Sequence, residues 1–183
     1  MAELRARHDV AVEWLPYELR PEPAPLPDVA GPDGDRFRQN WARGVAPLAE
    51  QLGVEMRFPP FKPRSRRAHE AAEYARAHSA FEAMRLALFR AYFVEGRDLG
   101  DLDVLVEVGA AVGLDPGDLR AALDEQRYAG RVVELETIAA RLGIAAVPTV
   151  VIGDRAVEGV RPYEVLRRVL EQVEREARLT ETS

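Results

Sequence analysis

The sequence predicts an α/β chain in which two short strand-forming regions bracket a long helical stretch. Three observations predict it: apolar alternation near the start, helical periodicity from about Asp35 to Leu142, and two β-branched runs around Gly153-Asp154. Each region follows from its own residues. AELRAR reads as the last turns of a helix, and His8 to Leu19 then sets Val10, Val12 and Trp14 on one face and Ala11 and Leu15 on the other. That pattern suits a strand covered on both faces. Pro21, Pro23, Pro25, Pro27 and Pro32, with Gly31 and Gly34, forbid a regular ladder or helix and mark an extended loop.

From Asp35 the period changes. Phe37, Trp41, Val45, Leu48 and Leu52 form one helical stripe of about four turns, ended by Gly53. After Pro59 and Pro60, Ser65 is placed to cap a helix running to about His78. Ser79 and Glu82 have capping-box spacing before the stripe Phe81, Met84, Leu88 and Tyr92. Asp101 caps a helix containing Leu102, Leu105, Val106 and Val108, with Gly113 as its stop. Asp115 before Pro116 is a stronger start signal, and Leu119 and Leu123 supply the inner face. A helix from about Gly130 to Leu142 uses Val133, Leu135, Ile138 and Leu142, with Gly143 after it. Val147 to Ile152, the loop Gly153-Asp154 and Arg155 to Gly159 then read as a hairpin. Pro162 opens the last helix, with Leu166, Val169, Leu170 and Val173 on its apolar face and a fraying charged tail from Glu174.

Composition narrows the function. With 183 residues, 47% hydrophobic and 31% charged, the chain is of globular type, and no apolar run approaches the roughly 20 residues that cross a bilayer. The first 20 residues lack the continuous apolar core of a secretory signal, so the expected location is the cytoplasm. The net charge of -6 argues against nucleic acid as a partner. There is no cysteine, which removes disulfides, thiolate metal sites and any cysteine nucleophile of this chain. His8, His69 and His78 share no ligand spacing, so no metal site is expected. No cofactor motif, phosphate loop or nucleophile elbow is present, and no cofactor is expected. Trp14, Phe37, Trp41, Phe81 and Tyr92 fall at strand or helix spacing and read as core.

Two stretches, LFRAYFVEGRDLGDLDVLVEVGAAVGLD (Leu88 to Asp115) and GIAAVPTVVIGDRAVEGVRPYEVLRRVL (Gly143 to Leu170), together with VEWLPYELRPE (Val12 to Glu22), resemble the DsbA-like thioredoxin-fold oxidoreductases, in particular the FrnE-type subgroup. The resemblance implies a thioredoxin-like domain formed by residues 1–34 and 143–183, carrying a helical insertion over 35–142. It also implies a cis proline at Pro148 facing a redox site, with Val147 and Thr149 beside it as substrate-binding positions. Family members open with a strand and then C-x-x-C at the first helix, where the helix N-terminus favours the thiolate. That segment of roughly two to three dozen residues, judged from typical element lengths, is missing from the resemblance.

Thiol–disulfide exchange requires a thiolate, so the resemblance predicts an oxidoreductase scaffold that is redox-silent by itself. A missing first strand would leave Val10 to Leu15 and Val147 to Ile152 with unpaired backbone groups, unless an upstream segment, a partner chain or closure of the two strands satisfies them. The partner implied is a thiol- or disulfide-bearing protein or peptide, with homodimerisation open. Two other functions fit the residues: a glutathione-dependent isomerase or transferase of the kappa or hydroxychromene-carboxylate type, and a non-enzymatic peptide-binding module. Arg64, Arg66 and Arg67 cluster at a predicted helix start and form a candidate anion site. In the kappa and isomerase relatives this loop commonly has Asn beside the proline, whereas here Pro63 is followed by Arg64.

Overall fold

The computed structural model describes residues 1–31 and 33–181, so Pro32 of the proline-rich loop lies outside the described residues. The chain forms two compact units, residues 1–17 with 135–183, and residues 18–134. These divisions fall at Tyr17 and Leu135, so the proline-rich loop groups with the helices that follow it.

The second unit is built from helices. They are α2 (Gly34–Asn40), a π turn (Trp41–Val45), α3 (Ala46–Gln51), α4 (Arg66–Ala77), α5 (Phe81–Phe93), α6 (Leu102–Ala111) and α7 (Pro116–Asp124), following α1 (Ala2–Arg7) of the first unit. The core of this unit gathers Ala71, Tyr74, Met84, Leu105, Leu119 and Leu123, each 0–2% exposed. The expected α6 and α7 starts form as read: the Asp101 carboxylate accepts from Asp103 N–H and the Asp115 carboxylate from Asp118 N–H. Gly113, at φ 88°, adopts the left-handed conformation that ends α6.

Four expectations for this unit are corrected. The stripe from Phe37 to Leu52 is not one regular helix, because Pro47 lacks an N–H, and the wide π turn precedes it. Val45 and Leu52 are exposed on that stripe, and Phe37, Trp41, Phe81, Tyr92 and, in the other unit, Trp14 are only half-buried. Trp41 instead packs edge-on to Phe58 and stacked with Phe93. Ser65 holds the N-cap position of α4, yet its side chain makes no cap hydrogen bond. Ser79 does not start α5. It ends α4 at φ 59°, leaving Ala80 as the N-cap, and Glu82 pairs with Arg85 at 2.7 Å. The short connection from His78 to Ala80 cannot hold both a left-handed stop and a separate capping serine.

α8 (Ala129–Arg141) follows, with Gly143 at φ 70° after it. Its buried positions are Val132, Leu135 and Ala139, so the inward stripe is rotated from the expected one and Val133, Ile138 and Leu142 are exposed.

The first unit holds the sheet. β1 (Thr149–Ile152) and β2 (Arg155–Glu158) pair antiparallel, with Thr149 opposite Glu158 and Ile152 opposite Arg155. Gly153 enters the two-residue loop at φ 61°. α9 (Tyr163–Glu181) runs further than the expected fraying point, supported by the Arg167–Glu171 and Arg155–Glu176 ion pairs. Leu4, Leu166 and Leu170 form the buried centre, flanked by Val10, Val150, Ile152 and Val157.

The predicted strand at Val10 to Leu15 is the main correction. The segment keeps the period of two, with Val10, Val12 and Trp14 half-buried and Ala11, Glu13 and Leu15 exposed, but it joins no ladder. Only one of its faces is covered. Among the described residues the sheet has two strands, and this extended segment is not one of them.

Candidate functional site

The hairpin's register determines which backbone groups remain open. Gly159 N–H donates to Pro148 C=O at 2.7 Å, and facing residues alternate between bonded and non-bonded pairs along an antiparallel ladder. Val150 and Ile152 therefore turn their N–H and C=O groups toward β2, and Thr149 and Val151 turn theirs to the opposite edge. A cavity of about 360 Å3 lies along that edge, walled on one side by Val10 to Trp14 and on the other by Thr149 to Gly153, with Leu4 and Leu170 also lining it. The two extended segments thus do not close on each other. The slot lies between two backbones, and its walls are apolar apart from Glu13 and Thr149.

The three predicted substrate positions stand at the entrance of β1. Val147 is 44% exposed and Pro148 is exposed, with a cis peptide bond between them. Thr149 Oγ1 donates to Ala146 C=O at 2.7 Å, which fixes the turn into the strand. Upstream of that turn, Tyr17 O–H donates to Ile144 C=O at 3.3 Å.

The predicted anion residues lie in the helical unit and do come together. Arg64, Arg66 and Arg67 line one cavity of about 570 Å3 with Glu18, Glu22, Glu70 and Gln126. Arg66 pairs with Glu18 at 2.8 Å, and Arg64 donates to Arg20 C=O at 2.9 Å. Sequence reasoning missed Glu18 and Glu70, which are 7% and 2% exposed. Their carboxylates are not distinguishable from surface ones by residue type. The available signal was position: Glu70 sits one turn from Arg66 and Arg67, on the α4 face that also buries Ala71 and Tyr74.

Burial pushes the Glu70 carboxyl above the ordinary range, opposed by the Arg66 and Arg67 charges and reinforced by Glu18. An acid raised in the folded state stabilises folding below its ordinary pKa of 4.5, and that contribution is lost as pH rises through the folded value. Glu70→Gln is therefore expected to flatten the fall in stability from about pH 4.5 toward neutrality. Urea midpoints at successive pH values check this, and an unchanged slope would contradict it. Among the described residues no acidic or histidine cluster of metal-binding kind is found, and no helix is long and apolar enough to cross a membrane.

A hairpin packed on α1 and α9, with a proline at the strand entrance and a helical unit between the two halves of the chain, is the scaffold of a thioredoxin-like protein. Residues 1–171 match the DSBA-like thioredoxin domain, and the chain belongs to that family. It is 32% identical over 165 residues to the uncharacterized protein YwbO of Bacillus subtilis (strain 168), spanning 88% of this chain and 82% of that protein. Its structure resembles that of a probable DsbA oxidoreductase from Streptomyces coelicolor, with a TM-score of 0.75, 27% identity, and coverage of 85% of this chain and 72% of the other. It also resembles a 2-hydroxychromene-2-carboxylate isomerase, with a TM-score of 0.65, 20% identity, and coverage of 85% and 74%. That second likeness concerns the fold alone.

Proposed function

We propose that this chain is the polypeptide-holding scaffold of a DsbA-type disulfide-exchange protein of the FrnE-type subgroup, with the helical stretch as an insertion in the thioredoxin-like part. The observation that carries the reading is the open edge of β1. Thr149 and Val151 present backbone donors and acceptors to a slot whose far wall is itself extended chain. An extended polypeptide satisfies such an edge by strand addition, and its alternate side chains meet the apolar floor at Leu4 and Leu170. Val147 and Pro148 stand exposed at the entrance, where the same polypeptide would pass. The 183 residues contain no cysteine, so they supply the grip and not the sulfur that attacks a disulfide.

The test uses the slot's own tryptophan. The chain has two tryptophans, and Trp41→Phe leaves Trp14 as the reporter. Titration with the peptide Ac-Lys-Val-Thr-Val-Thr-Val-Lys-NH2 is expected to shift Trp14 emission saturably, and a flat response contradicts the reading. In an insulin-reduction assay with dithiothreitol, the same chain is expected to leave the rate at background. Acceleration above background would show chemistry that this reading denies to these residues.

A further inference from the structure

The charged cavity of the helical unit is separate from the β1 slot and stands on different observations. Its ion pairs do not use all of its charges. Arg66 is engaged by Glu18, and Arg64 by the Arg20 carbonyl and, more distantly, by Glu22. The Arg67 guanidinium makes no hydrogen bond or ion pair among the described residues, and its charge acts on Glu70. Glu70 lines the same cavity, is 2% exposed, and its Oε2 has no hydrogen-bond partner. A buried carboxylate oxygen without a donor is rare in folded proteins and calls for a partner. Two further features belong to residues that line or border the cavity. α4 begins at Arg66 without a side-chain cap, so the first-turn N–H groups of a 12-residue helix receive no help from Ser65. Gln126, at the uncommon φ of 53°, also lines the cavity.

The volume, about 570 Å3, is that of a small-molecule site. The charges of Arg67 and Glu70 act on each other, but the guanidinium's donors and Glu70 Oε2 are left without hydrogen-bond partners, and a ligand carrying both complements would satisfy them together. A simple anion would satisfy Arg67 and the helix start but add repulsion at Glu70, and a simple cation would do the reverse. We propose that this cavity binds a small zwitterion of the amino-acid or short-peptide class, its carboxylate on Arg67 and the first turn of α4 and its ammonium on Glu70. The Arg66–Glu18 pair then serves as a fixed wall, and Gln126 offers a donor and an acceptor to an amide between the two charged ends.

Calorimetric titration of the full chain at pH 7 and low salt, with L-alanyl-L-alanine as the probe, tests this. One saturable site is expected. The N-acetylated and the C-amidated dipeptides, each lacking one charge, are expected to bind at least tenfold more weakly. Arg67→Met is expected to weaken the dipeptide tenfold or more and to remove its advantage over the amidated form. Glu70→Gln is expected to remove its advantage over the acetylated form. If a variant fails to fold, the charge-deleted ligands on the unaltered chain still decide the matter. Absence of dipeptide binding overturns the proposal. So does inorganic phosphate or acetate binding as tightly as the dipeptide with Glu70→Gln indifferent, which would make the cavity a plain anion site. Neither result bears on strand addition at β1.

Discussion

Val151→Pro is expected to weaken binding of the extended peptide at least tenfold while leaving the hairpin folded. The register makes this substitution selective. Val151 faces Ala156 in a pair whose N–H and C=O groups do not bond across the ladder, so proline removes a donor from the open edge and none from the β1–β2 pairing. Proline also biases Val150 toward the extended conformation that it already holds. A lost backbone bond contributes about 0.5–1.5 kcal/mol, and the ring's bulk against the incoming strand adds to it, so the sum passes the ~1.4 kcal/mol that equals a tenfold change. Val150→Pro is the control. It removes a ladder bond and is expected to unfold the hairpin, seen as loss of chemical-shift dispersion at Val157. Trp14 emission reports the binding arm, and a Val151→Pro chain that still binds the peptide normally would show that the edge is not used.

The second large effect lies in the helical core. A methyl group at Gly109 would come within 2.2 Å of Leu119 Cδ2, and Leu119 is fully buried. The leucine must turn or shift within the buried core to admit the methyl group. Gly109→Ala gains about 1 kcal/mol of helix propensity but incurs overpacking of about 1–3 kcal/mol, so net destabilisation is expected. Leu119→Ala is expected to cost about 2–5 kcal/mol through lost burial and the cavity left behind. The double variant is the informative one, because the methyl group added at position 109 occupies part of the space that Leu119 vacates. Its loss is expected to fall short of the sum of the singles by about 1 kcal/mol. Helical circular dichroism through a urea titration measures all three, and strict additivity would contradict the contact.

How far the sequence was legible varies with the kind of signal. The starts of α6 and α7 could be read because Asp101 and Asp115 cap through their own side chains to N–H groups two and three residues on. Ser65 and Ser79 are also capping-type residues and do not cap: Ser65 holds the N-cap position in a helical rather than extended conformation, and Ser79 is taken by the left-handed end of α4. The π turn before Pro47 was illegible from spacing alone, since the apolar stripe continues across it. The alternation from Val10 to Leu15 does describe an extended backbone, but a ladder also needs a partner that periodicity in one segment cannot report. At the candidate sites, Val147, Pro148 and Thr149 were found through a resemblance, and the arginine cluster through its charge density. Glu18 and Glu70 became visible only once folding had buried them.

Strand addition at β1 requires that the backbone edge of Thr149 and Val151 bond to the incoming polypeptide. Amide hydrogen exchange, read residue by residue with and without the Val/Thr peptide, tests it most directly. Exchange is expected to slow at Thr149 and Val151, whose N–H groups face the slot, and to change little at Val150 and Ile152, which already donate to β2. Saturating peptide that leaves Thr149 and Val151 exchanging as freely as before would contradict it.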